Sequence, residues 1–182
     1  MPLDSPPLTT RAGSIAIVDE PTYTFGSADN KHHYPHEVPV GRDFPPCTAH
    51  GVLLNGEPLA VFGDFRCSGV HPHSALVIDD RVLLAAGGQV LCFSPEPFHV
   101  HWELEVDSAA CFGIHFSSHH NALISHGELS IARFSRDGRL LWQSYGADIF
   151  SEGLALKPDA VEAIDFNGMR YRFSYDTGQS LP

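Results

Sequence analysis

The chain has little of what would tie it to a membrane, a nucleic acid or a covalent catalytic mechanism. No apolar run approaches the roughly 20 residues needed to cross a bilayer as a helix. The opening Met1-Pro-Leu-Asp-Ser-Pro-Pro has neither a basic n-region nor an apolar h-segment, so no secretory signal is expected there and a cytoplasmic location is. Basic residues are scarce: 11 Lys and Arg stand against 22 Asp and Glu, for a net charge of −11. Such a field repels polyanions, which excludes nucleic acid and anionic membrane surfaces as partners and suits another protein, a basic one above all. The four cysteines, Cys47, Cys67, Cys92 and Cys111, form no C-x-x-C pair and are expected as reduced thiols. There is no Gly-x-Ser-x-Gly elbow, and Gly87-Gly88 leads into a strand pattern rather than a phosphate-cradling helix. No catalytic residue is singled out. Met is nearly absent, 2 against 12 Phe, which favours packed sheets, and 14 Pro with 16 Gly leave little room for long helices.

What remains reads as strands. Residues 1–13, polar and rich in proline, are expected as a flexible tail ahead of a single β domain over 14–182. Ser14 to Phe25 suggests two short strands around an Asp-Glu-Pro turn. Residues 27–47 hold histidines and prolines without periodicity and read as a long loop, functional or disordered. Gly51 to Phe62 carries Asn55-Gly56 between two apolar runs, a strong hairpin signal. Ala75 to Ala85 repeats the pattern around Asp79-Asp80-Arg81. Further strands follow at 88–93, 100–106, 111–116, 122–125, 129–134, 140–142, 153–156, 161–166 and 169–173. Only Asp159 to Ala163 has room for a helical turn. Gly146-Ala-Asp-Ile-Phe150 reads as a crossover between units with Ile149 and Phe150 packed inside, or as an exposed recognition loop.

The strands recur with a period. Phe93, Phe134 and Phe173, each followed by Ser, stand 41 and 39 residues apart, and Trp102 and Trp142 stand 40 apart. Phe116-Ser117 falls off the period. Two markers sharing one spacing indicate repeats near 75–110, 111–150 and 151–182; chance likeness between hairpins is the alternative. A sheet of three or four strands cannot bury both its faces alone, so successive sheets are expected to stack with the aromatics between them. The segment Ala132-Arg-Phe-Ser-Arg-Asp-Gly-Arg-Leu-Leu-Trp142 resembles the pyrroloquinoline-quinone-type, WD-like β-propeller repeat, in which an Asp-x-x-Gly turn precedes a Leu-Trp strand. Tyr171-Arg-Phe-Ser-Tyr-Asp-Thr-Gly178 is similar in its turn. The first copy has Ser-Pro-Glu-Pro where that turn would stand, and the last ends before any Trp. The resemblance implies an all-β protein of stacked antiparallel sheets of propeller-blade type, open or incomplete; such repeats are mostly scaffolds, so cofactor binding does not carry over. A β-sandwich or cupin-like barrel is the alternative fold.

Histidine is the one excess in composition, 12 residues. His71-Pro-His73 and His99-Val-His101 are each spaced by two, which on a strand puts both imidazoles on one face, a usual way to present a divalent transition metal with ligands. His99-Val-His101-Trp-Glu-Leu-Glu105 resembles the His-x-His…Glu core of cupin metal sites, although the preceding glycine and a later Pro-x-Gly…His partner are missing. His115, His119, His120 and His126 add ligands only if folding brings them close. The plainer reading is solvent-facing strand and loop histidines. Two functions follow. The first is a non-catalytic protein-binding scaffold of the kind found among toxin-neutralising immunity proteins and accessory subunits, with self-association into a ring as a variant. The second is a cupin-like metal-dependent enzyme using the paired histidines.

Overall fold

The computed structural model describes residues 8–41 and 45–182. Among them there is no helix; sixteen strands form four sheets. The first holds β1 (Leu8–Thr10), β2 (Gly13–Asp19), β3 (His36–Pro39), β4 (Thr48–Leu54) and β5 (Glu57–Asp64), in the order β1-β2-β4-β5-β3. The second is a meander of β6 (Ala75–Ile78), β7 (Arg81–Ala86), β8 (Gln89–Pro95) and β9 (Phe98–Glu105). The third repeats it with β10 (Cys111–Ser117), β11 (Ala122–Gly127), β12 (Ser130–Phe134) and β13 (Leu140–Tyr145). The fourth has β14 (Gly153–Leu156), β15 (Val161–Ile164) and β16 (Arg170–Phe173). The segment after β16 turns back along it, with a bridge between Phe173 and Ser180 and a bond from Leu181 N to Arg172 O (2.7 Å), and so takes the place of a fourth strand.

The turns are local consequences of sequence. Asn55-Gly56 joins β4 to β5 with φ of 54° and 86°, and Asp79-Asp80 joins β6 to β7 with φ of 49° and 64°. Both pairs adopt the left-handed region that a two-residue hairpin needs and that Asn, Asp and Gly tolerate best.

The sheets stack face to face in chain order. Ile15, Val52 and Phe62 of the first pack against Leu84, Leu91 and Phe93 of the second. Leu83, Val90 and Cys92 on the second sheet's other face meet Ile114, Leu123 and Phe134 of the third. Ile124, Ile131 and Trp142 on the third's far face meet Val161, Ala163 and Phe173 of the fourth. Each fully buried aromatic, such as Phe62, Phe93 or Phe134, contributes about 2–3 kcal/mol of transfer free energy. Among the described residues no sheet closes into a barrel and four sheets stack rather than two, so the cupin-like and sandwich alternatives do not describe the fold.

The periodic aromatics occupy equivalent places. Phe93, Phe134 and Phe173 lie on the third strand of their sheets and face the sheet before. Trp102 and Trp142 lie on the fourth strand and reach the sheet after. The Trp102 indole N–H donates to Arg136 O (3.0 Å) and that of Trp142 to Tyr175 O (2.7 Å). Each ring covers a glycine, Gly138 or Gly178, whose φ is positive and where a Cβ would lie 2.6 Å from indole carbons. The tryptophan of one sheet thus docks on the tight turn that follows the marker Phe of the next.

Several expectations are corrected. The tail expected over 1–13 includes β1 from Leu8, paired with β2 through Leu8–Ile15 and Thr10–Gly13; residues 1–7 lie outside the described set. No second strand follows β2. Residues 20–35 instead fold over the outer face of the first sheet, where Tyr23, Phe25 and Tyr34 cover Ala49 and Val61. Gly51 and Gly63 leave space for the Tyr34 hydroxyl and the Phe25 ring, and any Cβ there would collide with them. The Tyr34 and Tyr23 hydroxyls donate to Glu20 and Glu37 (both 2.6 Å), and burial with the Glu37 bond pushes the Tyr23 phenol up to about 12. Within 27–47, β3 pairs in parallel with β5, an edge strand that sequence periodicity missed. Asp159 to Ala163 is a turn running into β15, not a helical turn. Cys47 and Cys67 are disulfide-bonded rather than reduced, whereas Cys92 and Cys111 are buried thiols.

Candidate functional site

The first strands of successive sheets, β6, β10 and β14, gather along one edge of the stack, and a cleft of about 410 Å³ opens there. The loop before β6 contributes His71 and His73, β10 contributes Phe112 and His115, β11 contributes His126, and the entry to β14 contributes Gly153 and Leu154. Alternation places these side chains. Cys111 and Ile114 of β10 point to the second sheet, so His115 points the other way, beside its cross-strand neighbour Ile124. A bulge between Cys111 and Gly113 swings Phe112 to the cleft. The His73 carbonyl accepts Ile114 N (2.7 Å), and Gly113 has no Cβ to strike the His73 side chain, so the loop lies flush on β10.

The imidazoles crowd together. His73 and His115 have ring centroids 4.4 Å apart, and His115 and His126 are 6.3 Å apart. Phe112 makes T-shaped ring contacts with both His71 (5.7 Å) and His126 (5.4 Å). Burial, with His73 and His126 alongside, pushes the His115 imidazole down to about 3. Burial also lowers His126, whose Nε2 bonds to Phe150 O (2.8 Å). At neutral pH His115 and His126 are therefore neutral imidazoles, which cannot attract an anion by charge but offer lone pairs and ring edges.

The two sequence-predicted pairs do not meet. His71 and His73 sit in a loop rather than on a strand, at the β6 edge of the second sheet. His99 and His101 sit on β9, three strand spacings away, or about 14 Å. Their rings touch at 4.9 Å, and His101 Nε2 bonds to Ser94 Oγ (2.7 Å). His119 and His120 lie elsewhere again, with His120 stacked on Tyr175 at 3.8 Å and bonded to Pro158 O (2.7 Å). As the side chains stand, no three His, Cys, Asp or Glu donors among the described residues are gathered to hold a metal ion.

Sequence reasoning missed a second set of residues, the acids at the junctions between sheets. Asp107, after β9, is buried; its Oδ2 accepts from Leu129 N (2.9 Å), Ser130 N (2.8 Å) and Ser130 Oγ (2.9 Å) in the β11–β12 turn. Asp64, the last residue of β5, sits against Gly87 in the β7–β8 turn and holds buried Arg66 by two 2.9 Å bonds. The Arg66 guanidinium donates onward to Asp107 O and pairs with Glu105 (both 2.9 Å). Asp148, after β13, accepts from Asn167 Nδ2 (2.7 Å) in the β15–β16 turn. These acids stand 43 and 41 residues apart, a spacing that would have revealed them. Phe150 is fully buried and Ile149 half-buried, whereas Ala147 and Asp148 are exposed, so the 146–150 segment packs inside only at its end.

No known family pattern matches the chain, and no curated protein is significantly similar to it. Solved structures do resemble it. The crystal structure of BamB from Moraxella catarrhalis superposes with a TM-score of 0.54 at 13% identity, over 97% of this chain and 62% of that one. The fold is propeller-like. The computationally designed Ika8 protein gives a TM-score of 0.52 at 15% identity, over 98% of this chain and 60% of its own. This chain thus spans about three fifths of the length of either structure.

Proposed function

We propose that this protein is a non-catalytic scaffold that binds another protein through one face of the sheet stack, in the manner of an immunity protein or accessory subunit. The observation that carries this reading is a strip of large apolar side chains left open to water. Leu129 is 39% exposed, Tyr145 64%, Phe166 64% and Met169 55%. The backbone carries them into neighbouring turns: Tyr145 pairs with Ser130 across β12 and β13, Phe150 N bonds to Glu128 O (2.7 Å), and Phe166 N bonds to Ile149 O (2.8 Å). Single exposed hydrophobics are ordinary, but a run of adjacent ones marks a contact surface. Glu128 and Asp148 stand close to them in the sequence, and Arg170, next to Met169, is paired with Glu162. An apolar centre with an acidic rim suits a basic partner, whose approach the net charge of −11 would speed.

The pyrroloquinoline-quinone-type reading of the repeats belongs to this proposal as a scaffold, supported by the equivalent docking of Trp102 and Trp142. The Cys47–Cys67 disulfide bears on location: such bonds persist in oxidising compartments, which favours an exported protein over the cytoplasmic one read from the sequence. Cell fractionation decides between them. Affinity capture from native cells tests the function. A stable, stoichiometric protein partner is expected with the wild type and not with a Tyr145→Ala, Phe166→Ala variant. Capture of no partner, or of a second copy of this chain alone, would sink the scaffold reading.

A further inference from the structure

We infer that the open edge of β13 takes up an extended, basic segment of a partner protein as a further strand of the third sheet. The inference rests on the scaffold reading and names the form in which the partner binds.

β13 ends its sheet and pairs with β12 alone. The direction of its main-chain groups follows from the bonds of β12. Ser130 N turns away from Tyr145, its opposite residue, to Asp107 Oδ2 (2.8 Å), whereas Ser135 N crosses to Arg139 O (2.9 Å). Bonded and non-bonded pairs alternate along an antiparallel ladder. Ile131 and Arg133 therefore bond across to Ser144 and Trp142, and Gln143 and Tyr145 aim N–H and C=O at the open side. Among the described residues no main-chain bond reaches them there. A row of donors and acceptors at this spacing is matched by another extended backbone. The fourth sheet shows the same device within the chain, where Leu181 N bonds to Arg172 O (2.7 Å) and Ser180 bridges Phe173 along the edge of β16.

Side chains single out β13. Edge strands are ordinarily guarded by charge. β9, the equivalent edge of the second sheet, carries Glu103 and Glu105. β13 reads Leu140-Leu-Trp-Gln-Ser-Tyr145, with no charged residue, and leaves Leu140, Leu141 and Tyr145 exposed. An irregularity at Leu141 confines the regular edge to Trp142–Tyr145, as long as the 4-residue β3 that adds to β5.

Charge chooses the occupant. Two copies of a chain of net charge −11 repel, so β13 is not expected to pair with itself. The same field draws a strand bearing Lys or Arg, and alternation lets that strand turn an apolar row towards Tyr145 while its cations stay in water.

The test uses a blocked peptide of four Lys-Val repeats and hydrogen exchange read residue by residue. The amides of Gln143 and Tyr145 should exchange readily in the free protein and slow at least about tenfold with peptide bound. A peptide of four Glu-Val repeats should not bind. Gln143→Pro deletes an outward N–H, which an edge strand tolerates, and should weaken peptide binding at least about tenfold; Gln143→Ala should not. Should Gln143→Pro fail to fold, the exchange of the wild type decides alone. No binding, protection of β9 in place of β13, undiminished binding to a folded Gln143→Pro, or a dimer joined through β13 would each overturn the inference. A captured partner that Tyr145→Ala, Phe166→Ala loses and Gln143→Pro keeps would overturn strand addition and leave the scaffold reading standing; capture of no partner would fell the scaffold reading itself.

Discussion

Acid should destabilise this protein through His115 in particular, and the size of the effect follows from its surroundings. In the unfolded chain this imidazole titrates near 6.5; in the folded protein, burial and the flanking His73 and His126 push it down to about 3. Between those values the unfolded state binds the extra proton, so stability rises with pH and falls on acidification. From pH 7 to pH 5 an unfolded histidine takes up most of a proton and folded His115 almost none, which costs the fold about 2 kcal/mol. His50 and His126, both lowered chiefly by burial, act in the same direction. Neutralising carboxylates in a chain of net charge −11 relieves repulsion and works against them, so the raw pH profile mixes two effects. The clean quantity is a difference. Urea unfolding of wild type and His115→Gln, followed by tryptophan fluorescence at both pH values, should show the variant losing about 2 kcal/mol less on acidification. Equal losses in the two proteins would refute the claim that this imidazole is held neutral by the cleft.

Other consequences can be measured in the same way. Replacing Cys47 and Cys67 by Ser should cost about 3 kcal/mol, the entropy of closing a loop of their 20-residue separation, and thiol titration of the denatured, unreduced wild type should find only Cys92 and Cys111. Gly178→Ala should destabilise by roughly 1–3 kcal/mol, because it combines a strained positive φ with a Cβ driven into Trp142. Asp107→Ala should cost about 3–5 kcal/mol by orphaning the buried donors of Leu129 and Ser130, with Asp107→Asn recovering part of the loss. Chemical denaturation reads all of these, and a change under about 0.5 kcal/mol in any of them would contradict the contact behind it.

What the sequence revealed was what is local. The Asn55-Gly56 and Asp79-Asp80 hairpins are written in residues that tolerate positive φ, and the Phe and Trp spacing exposed a stack because each sheet repeats one docking arrangement. β3 was hidden because a parallel edge strand owes its existence to β5, more than twenty residues away in the chain. The strand over Val161 and Ala163 is legible in the sequence, and the helical turn for which Asp159 to Ala163 has room does not form there. The bond between Cys47 and Cys67 depends on a meeting of loops that spacing cannot foretell. The histidines divide on the same principle. His-x-His spacing drew attention to His71 and His73, yet their companions His115 and His126 come from the next sheet, and only folding shows that His99 and His101 sit on a different edge. The junction acids Asp64, Asp107 and Asp148 do carry a period, but they look like ordinary strand-end carboxylates until the turns they hold are seen.

The account stands most directly on the surface formed by Tyr145 and Phe166. With the captured partner immobilised, affinity should fall at least about tenfold for Tyr145→Ala, Phe166→Ala, as loss of a central aromatic pair does elsewhere. The wild-type association rate should also drop as salt is raised, because the rim is acidic. A partner that binds the variant as tightly as the wild type, at a rate indifferent to salt, would place the interface elsewhere and contradict the account.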